Sequence, residues 1–243
     1  VAHGANENIL IDAHPHIGTN KLPKLIQEIR NTILHYGGEI QFNTKVIDFI
    51  LEGNEMKGVV TEAVVDAIHQ QQEYKGIGVI LATGHSARDV FELLHHKNII
   101  IEAKPFALGV RIEHQQSLID NIQYSGNKCD VLPAASYSLV EQVKVGTNQK
   151  GVFSFCMCPG GFIVPAATSQ NEIVVNGMSP SKRDSPYANS GMVVAVDETD
   201  WKHFKQFGAL AGMEFQKSVE QKAWQLAGKT QAAPAQLLQD FVH

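Results

Sequence analysis

The sequence predicts a mixed α+β fold in two parts, and three observations carry that expectation. Apolar residues recur at i, i+3, i+4 spacing from Leu22 to Leu34 and again after Asp200, which is the period of a helix with one buried face. Between these stretches lie short runs rich in β-branched and aromatic residues, separated by Gly-, Asn- and Pro-bearing turns, as strands are. Around residues 98–106 the character changes, because NIIIEAKPFALGVRIEH, with Pro105 inside it, opens a region of strands and turn-rich loops. A boundary therefore falls between residues 1–102 and residues 103–243.

In the first part, Thr19 or Asn20 is the expected cap of a helix whose apolar face is Leu22, Leu25, Ile26, Ile29, Ile33 and Leu34. Gly37-Gly38 ends it, since glycine adopts the left-handed C-terminal geometry without a Cβ penalty. EIQFNTKVIDFIL then reads as a strand with EGNEMKG as its hairpin turn; MKGVVT and AVVDAIH continue it, so residues 39–70 form an antiparallel meander. Polar QQQEYKG leads into GVILAT, an unbroken apolar run of the kind expected for a strand covered on both faces. Ser86 is the expected cap of a further helix that buries Val90, Phe91, Leu93 and Leu94.

In the second part, SYSLVEQVKV, GVFSFCM, GFIVPA and NEIVVNGM read as strands, with bends at Thr-Asn-Gln-Lys and Cys-Pro-Gly-Gly. SPSKRDSPYANSG reads as a long polar loop before the apolar strand MVVAV. The helical period then returns through Trp201, Phe204, Phe207, Phe215, Val219, Trp224 and Leu226.

Composition narrows the function classes. The 243 residues carry 20 basic and 25 acidic side chains, a net charge of −5, with no Lys/Arg-rich run, which argues against nucleic acid or a membrane surface as the main partner. No apolar run approaches the roughly 20 residues of a membrane-spanning helix. Three cysteines are too few for a secreted disulfide framework, so a reducing cytoplasm is the expected compartment. The sequence starts at Val1 and not at Met, which is the expectation for a piece of a longer protein.

Four motifs bear on chemistry. VILATGHSARD (residues 79–89) places small residues at a strand-to-helix turn, where Gly84 permits close approach of a ligand; an ordinary turn has the same sequence features. Cys156-Met157-Cys158 would project both sulfurs to one face of a strand, as dithiol chemistry needs, or would be two small buried residues before a bend, while Cys129 lies in a polar loop. Lys182, Arg183, Asn189 and Ser190 fall in the donor-rich loop, either as a binding surface or as a solvated one. Asp12-Ala13-His14-Pro15-His16 imitates the paired histidines of metal-dependent hydrolase barrels, and His69, His85 and His114 also follow apolar segments. A barrel needs eight alternating strand–helix units, however, and the strands here come in runs, so no metal site is assigned.

DAHPHIGTNKLPKLI, VILATGHSARDVFELLH, KPFALGVRIEH, FSFCMCPGGFIVPA, VVNGMSPSKRDSPYANSGM and EQKAWQLAGKTQAAPAQ together resemble the bacterial NAD(P)/FAD-dependent oxidoreductases, also called FAD-dependent dehydrogenases. The resemblance implies that residues 1–102 are part of an FAD-binding domain, the second half of its dinucleotide fold, and that residues 103–243 are an inserted substrate-side domain. It implies FAD as cofactor of the intact protein, with NAD(P)H as a candidate reductant. It places the backbone at Val46 against the adenine and Thr83 and Gly84 near the dinucleotide, and makes Cys156, Cys158, Arg183, Asn189 and Ser190 the substrate-side candidates. No residue is assigned as catalytic, and the small-molecule substrate is not identified.

Departures from that family matter equally. There is no G-x-G-x-x-G after a first strand, no acidic residue on a following strand to hold the ribose, and no glycine-rich C-terminal segment. The chain alone is therefore expected to bind FAD weakly or not at all, to be inactive, and to expose a sheet edge that invites self-association. The alternatives are a non-catalytic binding or structural domain and, less favoured, a metal-dependent hydrolase built on His14 and His16.

Overall fold

Tight turns with left-handed backbone, at Gly53, at Asp66-Ala67 and at Gly146, fold the chain back on itself, so the strands beside them pair antiparallel. The computed structural model describes residues 1–242 and confirms a mixed α+β protein. After a 3₁₀ turn at Glu7–Leu10 come α1 (Leu22–His35), β1 (Thr44–Glu52), β2 (Glu55–Val65), β3 (Ile68–Lys75) and α2 (Arg88–His96). Then follow β4 (Phe106–Gln115), α3 (Gln116–Gln123), β5 (Val140–Val145), β6 (Asn148–Cys158), β7 (Phe162–Pro165), β8 (Val175–Met178) and β9 (Tyr187–Val196). A 3₁₀ segment at Lys202–Leu210, α4 (Ala211–Leu226) and α5 (Leu238–Val242) come last. Among the described residues no helix is long and apolar enough to cross a membrane.

The chain divides into two compact units, Asn31–Glu102 and the combination of Val1–Arg30 with Ala103–His243. One division thus falls at Glu102, while residues 1–30 group with the C-terminal residues and not with 31–102.

In the unit of residues 31–102, β1, β2 and β3 form a sheet in that order, around buried Phe49 and Thr61. Lys45 meets Asp89 and Lys97 meets Asp48, each at 2.7 Å, tying both ends of α2 to β1. The lysine hydrogen bonds hold the Asp48 and Asp89 carboxyls below the usual carboxylate range. The helix α1 ends as expected, with Gly37 and Gly38 amides donating to the Leu34 and Ile33 carbonyls. Four expectations need correction. AVVDAIH is not one strand but the end of β2, the turn at Asp66-Ala67 and the start of β3. The polar QQQEYKG after it is not a connector but supplies most of β3, carried along as an exposed edge strand by the hairpin ladder with β2. GVILAT is not a strand: it has no ladder partner among the described residues, and Ile80 is exposed. Ser86 does not cap α2, whose N-cap is Ala87.

In the other unit the sheet order is β4-β9-β6-β5, with β7 and β8 as a separate hairpin. Its core joins the ends of β4 and β9 to the C-terminal helices. Trp201, 3% exposed, stacks on Phe106 at 5.4 Å between ring centroids and packs with Val196, Ala211, Val194 and Phe215. The strand β9 starts at Tyr187, so the expected polar loop is already strand where Asn189 and Ser190 occur. The helix α3 was not legible in advance, because its buried residues include the polar Gln116 and Asp120.

Replacing Trp201 by Ala removes the largest side chain of this core. We expect a loss of about 3–5 kcal/mol in stability, read by urea unfolding followed with far-UV circular dichroism.

Candidate functional site

Strands β6 and β9 pair regularly up to Phe155 opposite Gly191, and the next pair is Cys158 opposite Asn189. One extra residue is thereby accommodated in β6 as a bulge, and Cys156 absorbs it with a left-handed φ of 46°. The bulge overturns the same-face expectation for the two cysteines, because strand alternation is broken between them. Cys156 is exposed, Cys158 is partly buried, and both thiols are free, as is that of Cys129.

The bulge also turns the Cys156 carbonyl toward Arg111 of β4. Arg111 donates to it from Nη2 at 3.2 Å and from Nη1 at 3.4 Å, and the Cys158 thiol donates to the same oxygen at 3.3 Å. Arg111 Nη1 also donates to Asn189 Oδ1. Asn189 and Ser190 are both 0% exposed. They therefore do not belong to a solvated loop: they lie on a central strand, and their polarity is tolerated because it is used. Ser190 faces the other side of the sheet, where its hydroxyl donates to the Gly191 carbonyl at 3.0 Å. On that side His114 and Tyr137 lie with ring centroids 5.5 Å apart. Burial pushes the Tyr137 phenol up, against Ser190 and Arg111, and pushes the His114 imidazole down, against Glu113.

The hairpin β7–β8 crosses directly over the Arg111–Asn189 pair at Gly177, where a methyl group would overlap both Arg111 Nη1 and Asn189 Oδ1. Beyond Cys158 the Pro-Gly-Gly bend is held from two sides. Gly160, with φ of 50°, packs against the Arg183 carbonyl and donates its N–H to Gln116 Oε1 at 2.7 Å. The Ser179 hydroxyl donates to the Pro159 carbonyl at 2.8 Å. Gln116 is fixed in turn by donating to Asp120 Oδ1 at 2.9 Å and to the Ala135 carbonyl at 3.0 Å. Burial raises the Asp120 carboxyl, but the Ala135 amide, Gln116 and Lys128 outweigh it and hold the group ionised.

The segment before α1 completes the arrangement. The Thr19 amide and hydroxyl both donate to the Ser179 carbonyl, at 3.1 and 3.3 Å, and the Ser181 amide donates to Asn20 Oδ1 at 2.8 Å. These contacts explain why neither residue caps α1: their side chains are committed to the loop after β8. His16 Nε2 lies 3.0 Å from the Pro180 carbonyl. Residues 14–20, 156–161 and 177–183, far apart in sequence, thus meet at one place.

Between them is a cleft of about 260 Å³, lined by His16, Thr19, Cys158, Gly177, Ser179 and Arg183, with Ile17, Leu22, Met157 and Met178 as apolar wall. Burial pushes the Cys158 thiol up; Arg111 and Arg183 act in the opposite direction. Four buried polar atoms have no hydrogen-bond partner among the described residues: Arg183 Nε, Asn189 Nδ2, His114 Nε2 and Tyr137 Oη. Arg111, Thr19, Gln116 and Gly177 were missed in the sequence. The one available signal was Arg111 itself, a charge inside the apolar run FALGVRIEH.

The remaining expected positions lie elsewhere. Val46 sits in β1 opposite Thr61. Thr83 and Gly84 are exposed in the irregular segment before α2; Gly84 has φ of 76°, and a methyl group there would meet nothing within 4 Å. The first turn of α2 already carries the Asp89 carboxylate, which opposes an anion at that helix end. His14 is exposed and residues 12–16 are not a strand, which removes the same-face geometry of a metal-binding pair. Among the described residues no group of three His, Cys, Asp or Glu is arranged to hold a metal.

Residues 105–243 match the family described as FAD-dependent protein, C-terminal domain-like. An uncharacterised protein of Clostridium beijerinckii is 39% identical over 240 residues, a match covering 98% of this chain and 43% of that protein. The chain therefore spans less than half the length of this relative.

Two outcomes test the geometry. Gly177→Ala forces apart the hairpin and the Arg111–Asn189 pair; we expect a lowered melting temperature in a differential scanning calorimetry trace. Alkylation followed by peptide mass spectrometry should modify exposed Cys156 and Cys129 well before Cys158 at neutral pH, since burial keeps the Cys158 thiol protonated.

Proposed function

The chain belongs to the FAD-dependent protein, C-terminal domain-like family, and from that premise we propose that it is the substrate-side part of an FAD-dependent oxidoreductase. The observation that carries this reading is the convergence of residues 14–20, 156–161 and 177–183 on one cleft, most of whose lining lies within the family match. Flavin, when bound, supplies hydride transfer, and the protein's part is binding, orientation and electrostatics.

The roles left to this chain follow from its own groups. Arg183 offers charge and N–H donors at the cleft, Cys158 a neutral thiol, and Ile17, Leu22, Met157 and Met178 an apolar surface beside them. Asn189 and Arg111 are positioning residues, holding the bulge that aims Cys158, and Ser190 remains a substrate-side candidate. On the other unit, Val46, Thr83 and Gly84 are proposed to face the dinucleotide, with NAD(P)H as a candidate reductant. Enclosure of FAD then requires residues beyond those matched here, and more than half of the C. beijerinckii relative lies outside the match. On this reading the isolated chain holds flavin weakly and is inactive, and the longer protein of which it is part works in the cytoplasm.

Gel filtration after incubation with FAD separates the possibilities. The 243-residue chain should elute without the flavin absorption band, and the full-length C. beijerinckii relative should elute yellow and be bleached by NADH or NADPH. A relative that stays colourless after reconstitution would overturn the proposal.

A further inference from the structure

We propose that the cleft at Arg183 is an oxyanion site, taking the carboxylate or phosphate end of a small molecule on the Arg183 guanidinium. This deepens the reading of the cleft as the substrate side, but does not depend on flavin.

The donor and acceptor balance around the cleft is one-sided. Arg183 carries only donors, and its buried Nε has no partner among the described residues. Asn189, wholly buried, lies beneath Gly177 and opposite Cys158, both of which line the cleft. Its Oδ1 is taken by Arg111, while its Nδ2 donor is unpartnered among the described residues. The Arg183 Nε, on a residue that does line the cleft, thus lacks the acceptor that a charged donor ordinarily has. Among the described residues no carboxylate lines the cleft to serve as one. In a chain of net charge −5, a cleft with one arginine in its wall and a second beneath it is a local reversal of sign.

Arg183 also holds a left-handed backbone, φ 53°, fixed by its N–H donating to the Pro180 carbonyl at 3.0 Å. Strain of this kind in a non-glycine residue persists where the surroundings over-determine it. The same turn is pinned by Gly160 on one side and by Asn20, through the Ser181 amide, on the other. The backbone that carries the guanidinium is thus held in place. Size and wall set the rest of the ligand. A volume of about 260 Å³ is just below the roughly 300–1,000 Å³ of ordinary small-molecule sites. Ile17, Leu22, Met157 and Met178 fit a short apolar stem behind the charged end.

The test runs on the flavin-free 243-residue chain, so its failure is separate from failure of the flavin-retention result. Inorganic phosphate, butyrate and the neutral butyramide are titrated by calorimetry, while alkylation of Cys158 and Cys129 is followed by mass spectrometry. Phosphate or butyrate should bind and slow modification of Cys158 without changing Cys129; which of the two binds tighter identifies the phosphate or carboxylate source. Arg183→Gln should weaken that binding on the order of tenfold, the worth of a charge-assisted hydrogen bond, and Arg183→Lys should recover part of it. Binding of butyramide equal to butyrate, undiminished binding in Arg183→Gln, or no protection of Cys158 by either anion would overturn the proposal. If Arg183→Gln loses its circular dichroism spectrum, salt decides the matter on the unaltered chain: anion binding must weaken as ionic strength rises, and binding indifferent to salt overturns it.

Discussion

The Arg111 guanidinium is the interaction on which the architecture around the cleft depends. It rises from β4, engages Asn189 on β9, and takes the carbonyl that the β6 bulge would otherwise leave without a ladder donor. Three strands are thereby locked at a single cation. A net hydrogen bond to a charged group is worth roughly 1.5–3 kcal/mol, and leaving its partner buried and unpaired costs about as much again. The bulge in turn sets where Cys158 sits, the Pro-Gly-Gly bend continues from it, and Gly177 lies over the finished pair without a side chain to obstruct it. The loop after β8 then reaches Thr19 and Asn20. Each step is local, but the order runs from one charge outward.

This arrangement explains which parts of the fold were legible in advance. The helix α1, the strands β1 and β2 and the helix α4 announce themselves through periodicity contained within each element, whereas the polar edge strand β3 is drawn in by its ladder with β2. What escaped was decided by partners distant in sequence. Thr19 and Asn20 have the chemistry of helix caps, but Ser179 and Ser181 compete for the same atoms and win. Asn189 and Ser190 have the composition of a loop, yet Arg111 and the Gly191 carbonyl let them enter a central strand. GVILAT has the composition of a buried strand, but strand is a property of a ladder, and Ile80 has none beside it among the described residues.

The site was legible to a similar degree and for the same reason. Cys158 and Arg183 could be named from residue chemistry, and the structure brings both to one cleft. Their geometry could not be named. Alternation predicts the two sulfurs on one face, and a single bulge residue cancels that prediction. Gly177 gave no signal at all, because a glycine needed for close packing looks in sequence like any other glycine. Arg111 did give one, since a charge in the middle of an apolar strand requires a buried partner.

Adjacent Asn189 and Ser190 have one more consequence, for the way the sheet assembles. Neighbouring residues on a strand face opposite sides, so a slip of one position would exchange them. Asn189 would leave Arg111 and enter the side of His114 and Tyr137, and the arginine would face a hydroxyl too short to replace the amide. The rest of β9 offers no such discrimination, because Met192 to Val196 form an apolar stretch that reads much the same in either alignment. The two polar residues therefore act as a key cut at one end of an otherwise permissive strand. They penalise the misaligned sheet where the apolar stretch does not.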